Sequence, residues 1–495
     1  MVFSSYEFLF VFLPISFAGF LALEHYGWGR AALAWVVLAS LVFYSWWNPV
    51  YLPLLVGSMA MNFALARLLA RLNPRTEGGR RKLVATAGVA ANLLALGYFK
   101  YTGLLVSSIE NMSGAEFGFA QIELPLAISF FTFQQVAYLV DAYRGTAPTY
   151  GGLQYAFFIS FFPQLIAGPI VRHDETIPQL AQGRRRTSWS NVAIGGTILV
   201  VGLAKKVICA DSVALYATPM FTDAAGGADV GLWRAWTGSI AYALQIYFDF
   251  SGYSDMAIGC ARLFGIRLPL NFDSPYRSTS ISEFWRRWHI TLSSFLRDYL
   301  YIPLGGNRRG ESRRYTNLLI TMLLGGLWHG ASWTFALWGG LHGLYLCIDN
   351  VWTKVRGERG PPTASGRALS WALTFVAVVL AWVLFRAEDL STAGRVYAGM
   401  LGTNGLGLPL AGEMVTLAAV LFALLAIACF GPNTQQLLRD FEPALDFPRP
   451  SDPAEVPSHW PRLGFGTGWA VLVGLLAALS ILYLERSDEF LYFQF

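Results

Sequence analysis

Charge is scarce in this 495-residue chain: 14% of its residues are Asp, Glu, Lys or Arg, against 55% hydrophobic, and the mean hydropathy is +0.45. A soluble protein of two or three domains does not carry such a composition, so the chain reads as a membrane protein. Cysteine is scarcer still. Cys209, Cys260, Cys347 and Cys429 lie far apart with no C-x-x-C spacing, which argues against a disulfide framework and a zinc site. A net charge of +5 over this length is too thin for a phosphate-tracking surface, so no nucleic-acid partner is expected. No G-x-S-x-G elbow, H-E-x-x-H, P-loop or complete G-x-G-x-x-G occurs, and serine-hydrolase, zincin and nucleotide-hydrolase sites therefore lack their usual signatures. The apolar opening, Met1 to Glu24, has neither a basic n-region nor a small-x-small cleavage site, and is expected to remain as the first span.

Apolar length and aromatic rings are abundant. Stretches near the ~20 residues that span hydrocarbon occur at Tyr6 to Leu23, Ala31 to Trp47, Leu52 to Ala70, Leu83 to Phe99, Leu124 to Tyr143, Val192 to Ile208, Trp233 to Ala257, Tyr315 to Ser332, Phe335 to Ile348, Leu369 to Leu384, Met414 to Phe430 and Trp469 to Leu484. The expected fold class is an all-α polytopic membrane protein of about twelve transmembrane helices. Tyr155 to Val171 is apolar as well, but Pro163, Gly168 and Pro169 favour a broken or re-entrant hairpin. The 17 Trp, 22 Tyr and 36 Phe suit a chain that crosses membrane interfaces many times.

Lys and Arg collect in five loops, Arg71 to Lys82, Arg172 to Arg186, Arg277 to Arg314, Lys354 to Arg367 and Arg439 to Arg462, all on one side of this map and assigned as cytoplasmic. Acidic residues mark the opposite side: Glu110, Glu116 and Glu123, then Asp211, Asp223 and Asp229. Lys205 and Lys206 disagree, falling near the outer end of their span, where snorkelling or pairing with an intramembrane Asp would explain them. Within the long inner segment 271–315, Ile281 to Tyr301 places Phe284, Trp288, Leu292, Phe295, Leu296 and Tyr299 at helical spacing. An amphipathic helix is expected there, lying in the interface or wedged into the protein, with a capping box at Ser280 and Glu283 and a stop at Pro303, Gly305 and Gly306. Residues 431–465 form a Pro-rich cytoplasmic loop in this reading.

Polar groups inside hydrocarbon are costly and each demands a reason. His25, His173 and His459 read as loop or surface residues. His329 lies about 22 Å into its span, counting 1.5 Å per residue from Arg314, between Gly326 and Gly330, whose G-x-x-x-G spacing permits close backbone approach. A neutral imidazole at that depth suits proton transfer from a nucleophile, hence acyl transfer. His342, in the similar Gly339-Gly-Leu-His-Gly343, is as well explained by a structural hydrogen bond. Arg286, Arg287, Arg297, Arg308, Arg309, Arg313 and Arg314 have the chemistry to hold the phosphates of a nucleotide-bearing donor, although membrane topology alone explains a basic inner loop. Asp249 and Asp255 either pair with Lys205 and Lys206, line a cavity, or bind a coupling ion as in a transporter. Asp141 and Arg144 read as a local pair.

Several ordered motifs, among them Met1-Val-Phe-Ser-Ser5, Leu124-Pro-Leu-Ala-Ile-Ser-Phe-Phe-Thr-Phe133, Leu139-Val-Asp-Ala-Tyr-Arg-Gly145, Phe162-Pro-Gln-Leu-Ile-Ala-Gly-Pro-Ile170, Ile246-Tyr-Phe-Asp-Phe-Ser-Gly-Tyr-Ser-Asp255, Asn271-Phe, Phe284-Trp-Arg-Arg-Trp-His289, Tyr301-Ile-Pro-Leu-Gly-Gly306, Gly326-Leu-Trp-His-Gly330 and Tyr492-Phe-Gln-Phe495, carry a resemblance. The chain resembles the membrane-bound O-acyltransferase (MBOAT) family in its bacterial, AlgI-like O-acetyltransferase branch. The resemblance implies one integral-membrane domain over 1–495, with spans and interfacial helices packed round a central funnel, and His329 and His289 as catalytic positions. His289 would orient the donor or stabilise the oxyanion. It implies acetyl-CoA as donor substrate with no permanently bound cofactor, and donor-binding candidates Arg286, Arg287, Arg297, Trp285 and Trp328. A periplasmic SGNH-type acetyltransferase partner, an exported polysaccharide of alginate type as final acceptor, membrane lipids as surroundings and a bacterial inner-membrane location are implied with it. The alternatives are a DltB-like exporter of D-alanyl or another acyl group, and a transporter or polysaccharide export channel.

Overall fold

The computed structural model describes residues 1–495 except 116, 120–121, 181–187, 358–362, 409, 448–459, 485–490 and 492–495. His459, Glu116, Arg184 to Arg186 and the Tyr492 to Phe495 motif lie outside the described residues, as do parts of the two loops beyond Lys354 and Arg439.

Every regular element among the described residues is helical: α1 (Leu13–His25), α2 (Gly29–Ser45), α3 (Leu52–Arg71), α4 (Gly78–Ser113), α5 (Ile128–Arg144), α6 (Gly152–Ser160), α7 (Phe162–Leu165), α8 (His173–Leu180), α9 (Trp189–Ala204), α10 (Asp211–Ala225), α11 (Leu232–Leu263), α12 (Ile281–Arg287), α13 (Ile290–Leu296), α14 (Glu311–His329), α15 (Trp333–Arg356), α16 (Ala364–Arg386), α17 (Leu390–Met400), α18 (Ala411–Phe430), α19 (Thr434–Leu437) and α20 (Thr467–Tyr483). Each of the twelve expected spans falls on one of these helices. Six are long and apolar enough to cross a membrane on length and composition alone, and α2 and α20 are shorter apolar helices. The remainder, α5, α11, α14 and α15, bring polar groups into the interior.

Helix α11 is the central post, with nearly every side chain from Ala241 to Leu263 buried. It crosses α9 closely because glycines face each other: a Cβ on Gly202 would stand 2.6 Å from the carbonyl oxygen of Gly252. Between α9 and α10 a π-helical stretch, Lys205–Ala210, keeps the two helices continuous over 37 residues. Lys205 and Lys206 therefore sit mid-helix, not near an outer end as their span boundary implied. The π-helical stretch aims both at α11, where Lys205 Nζ is 2.6 Å from Asp255 and Lys206 Nζ is 2.9 Å from Asp249, and Lys206 also lies 2.8 Å from Asp211 at the start of α10. Thr434 and Gln435 of α19 donate to the same Asp255, and the Leu491 amide donates to Asp249. Pairing, among the explanations the sequence allowed, accounts for all four residues.

The hairpin at Tyr155 to Val171 breaks as its prolines dictate: α6 stops at Ser160, Phe161 turns the chain, and α7 is a single turn. The inner segment differs from expectation. Instead of one helix over 281–301, the chain breaks at Trp288 and His289 into α12, α13 and a π-helical end, Arg297–Tyr301. The reason lies in an extended stretch beside it, whose Asn271 takes the amide donors a continuous helix would have used. Its carbonyl accepts from Ile290 N at 3.0 Å and its side chain from Thr291 N at 3.4 Å. Only half of the expected capping box forms. Ser280 Oγ accepts from Glu283 N, but the Glu283 carboxylate turns to Thr279.

Candidate active site

His329 is the last residue of α14, because Gly330 is extended and Ser332 caps α15. The two helices form a hairpin pressed together at Gly326, where a Cβ would stand 2.2 Å from the carbonyl oxygen of Phe335 and 3.0 Å from Gly339 Cα. The spacing expected to allow close approach does so. The break places His329 at a helix C-terminus, walled by Trp328, Trp338 and Phe385 at ring-centroid distances of 5.0, 5.1 and 5.2 Å.

His289 stands opposite, its ring centroid 6.3 Å from that of His329, and both residues are buried. It caps α13 with φ +41° and ψ +55°, a left-handed conformation that costs a non-glycine residue on the order of 1 kcal/mol or more. This backbone turns the imidazole to Asn271, whose Oδ1 lies 3.0 Å from His289 Nδ1. Phe250 meets the ring edge to face at 4.8 Å.

The remaining site residues take unequal places. Trp328 touches both imidazoles and stacks on Phe133, which stacks on Phe295 at 4.2 Å, and Phe295 in turn packs on Tyr299. This aromatic ladder runs from the histidine pair to a basic rim. There the guanidinium groups of Arg144 and Arg172 lie 5.7 and 5.5 Å from the Tyr299 ring centroid, and Arg172 and Arg297 both grip Asp298. Arg297 thus stands at the foot of the ladder. Arg286 is exposed at the end of α12. Arg287 is ion-paired with Glu283 at 3.0 Å and Asp273 at 3.5 Å. Trp285 is turned away from the ladder: its indole nitrogen donates to His342 Nδ1 at 3.2 Å. His342 thus makes a buried hydrogen bond of the kind the sequence allowed.

His173 corrects the surface reading given to it. It is buried, hydrogen-bonded to Tyr150 at 3.0 Å and 3.4 Å from Asp141, because α5, α8 and the Tyr299 turn close over it. Asp141 pairs with Arg144 at 3.7 Å as read, and also accepts from Tyr299 at 2.6 Å.

Two residues of the site had been given no chemistry. Lys100, buried within α4, donates to the carbonyls of Trp328 and, at 3.2 Å, of His329, and to Ser129 Oγ at 3.3 Å. It satisfies the end of the helix that carries His329, and the neighbouring Tyr101 donates to Leu327 O at 2.8 Å. The signal was a lone lysine in an apolar run, hidden because the span had been ended at Phe99. Asn271, the second, stood inside a motif without a role.

A family model described as "MBOAT, membrane-bound O-acyltransferase family" matches residues 146–387. The chain is 40% identical to the "Probable alginate O-acetylase AlgI" of Azotobacter vinelandii across 100% of both proteins. It is 42% identical to the "Peptidoglycan O-acetyltransferase" of Helicobacter pylori, over 82% of this chain and 81% of that one. Similarity at 28% identity extends to the "Teichoic acid D-alanyltransferase" of Streptococcus thermophilus, over 52% of this chain and 68% of that protein.

Proposed function

The chain belongs to the membrane-bound O-acyltransferase family, and from that premise we propose that it takes acetyl from cytoplasmic acetyl-CoA and passes it across the inner membrane for O-acetylation of an exported, alginate-type polysaccharide. A periplasmic SGNH-type acetyltransferase completes the transfer. The observation that carries this reading is the pair of buried imidazoles, 6.3 Å apart, joined to a basic rim by a ladder of rings.

In the proposed reaction His329 takes the proton of the attacking hydroxyl as its oxygen bonds to the thioester carbon. The carbon–sulfur bond breaks and the proton leaves with the CoA sulfur. His289 holds the donor in register. Arg172 and Arg297, with Arg144 beside them, meet the donor phosphates at the foot of the ladder, Trp328 lines the path, and Arg286 adds charge nearby. Arg287 and Trp285 support this donor site from behind, through their own bonds to Asp273 and His342.

The relatives named for alginate and peptidoglycan O-acetylation favour acetyl over D-alanyl, the more distant likeness. The transporter alternative loses its foothold, since Asp249 and Asp255 are both occupied by lysines. Labelled acetyl-CoA supplied to the purified full chain, with and without an SGNH-type partner, tests the proposal. His329→Ala is expected to abolish acetyl release while the protein still assembles. Full acetyl transfer by a folded His329→Ala protein, or turnover of a D-alanyl carrier protein in place of acetyl-CoA, overturns it.

A further inference from the structure

The side chain of Asn271 is fully buried and its orientation is fixed by groups that can act in one sense only. The backbone N–H of Thr291 can only donate, and it lies 3.4 Å from Asn271 Oδ1. The Thr291 hydroxyl accepts from Ile170 N at 3.0 Å, so its own hydrogen is directed at the same oxygen, 2.9 Å away. On the other side the Asn271 amide nitrogen donates to Ser254 Oγ at 3.1 Å. Oδ1 is therefore an acceptor facing His289, and a ring nitrogen 3.0 Å from an acceptor must carry the proton.

We infer that Asn271 is a positioning residue that locks His289 as the tautomer protonated on Nδ1 and leaves Nε2 as a hydrogen-bond acceptor. This deepens the acetyltransferase reading and rests on it. A nitrogen so fixed takes an N–H or O–H and cannot donate to a developing oxyanion. Of the two tasks that the family resemblance left to His289, orienting the donor survives, and the amide N–H groups along the arm of a CoA thioester are the chemistry it would receive. The left-handed backbone at His289 belongs to the same device, because it is what carries the ring to Asn271.

The test compares Asn271→Leu, Asn271→Asp and Thr291→Val in the full-length protein, reading kcat and KM for acetyl-CoA beside thermal stability. Asn271→Leu releases the tautomer and is expected to lower kcat/KM about 100-fold, the scale of a misoriented catalytic imidazole. Asn271→Asp keeps an acceptor toward Nδ1 and is expected to recover to within about threefold. Thr291→Val removes one of the two donors that hold the same oxygen and keeps the other, its own backbone N–H, so it should cost stability and lower kcat/KM less than Asn271→Leu does. If Asn271→Leu does not accumulate, Asn271→Ser takes its place, being too short to reach the ring, with the same loss expected. A leucine or serine variant near wild-type activity overturns the inference, as does an aspartate variant as poor as the leucine one, or a valine variant poorer than the leucine one. Should His329→Ala and His289→Ala both keep transferring acetyl, the underlying reading fails; should they be dead while Asn271→Leu is active, only the role of Asn271 fails.

Discussion

Two lysines buried in this protein are held in opposite ways. Lys206, between α9 and α10, sits 2.8 Å from Asp211 and 2.9 Å from Asp249, so its charge is met by carboxylates in the middle of the helix bundle. For Lys100 no carboxylate lies within ion-pair distance among the described residues; its partners are two carbonyls at the end of α14 and one hydroxyl. The first arrangement neutralises charge and ties α11 to its neighbours. The second gives the lysine no carboxylate and directs its donors to the carbonyls of Trp328 and His329 and to Ser129. At α11 the lysine is matched by carboxylates, and at the histidine pair the lysine fixes the position of a helix end.

The comparison separates stability from activity. Lys206→Met strands two buried carboxylates and is expected to cost about 3–5 kcal/mol, read as loss of accumulation or a large fall in Tm in detergent. Neutralising Asp249 and Asp211 in the same chain should recover much of it. Lys100→Met leaves two helix-end carbonyls without their donor, a smaller penalty of about 1–3 kcal/mol. Its larger effect should appear in kcat, about 10-fold or more, because a small displacement of His329 misaligns the reacting groups. Equal losses of Tm in the two variants, with Lys100→Met fully active, would erase the distinction.

Much of this was legible in the sequence because hydrocarbon makes polar groups conspicuous. Twelve apolar runs found twelve helices, and His329 stood out between Gly326 and Gly330 for the same reason that the hairpin closes there. What escaped depended on partners distant in the chain. Lys100 is explained chiefly by Trp328 and His329, more than two hundred residues later. The break at His289 is invisible in a helical periodicity that runs on through it, since Asn271 imposes it from outside. His173 looked like a loop residue until Asp141 and Tyr150 closed around it.

The hairpin itself offers a third, intermediate test of whether position alone governs the site. Gly326→Ala puts a methyl 2.2 Å from the Phe335 carbonyl oxygen, and backbone cannot yield as a flexible side chain would. Separation of α14 from α15 should cost about 1–3 kcal/mol and lower acetyl transfer, whereas Gly468→Ala, which meets nothing within 4 Å, should change neither.

The smallest expected effect concerns Glu175 of α8, a carboxyl whose partner is a backbone amide. Burial pushes the Glu175 carboxyl up to about 7, opposed by the hydrogen bond it accepts from Arg172 N at 2.7 Å. A carboxyl raised above its unfolded value of 4.5 binds its proton more tightly when folded, so it contributes stability that is complete below 4.5 and lost as pH rises through about 7. The Tm in detergent should therefore be higher at acid pH than at pH 8 by a few degrees, on the order expected for a single partly accessible group. Glu175→Gln should flatten that slope. A slope unchanged by the substitution would place the pH sensitivity elsewhere, and a Tm that rises with pH through neutrality only in the wild type would reverse the sign argued for Glu175.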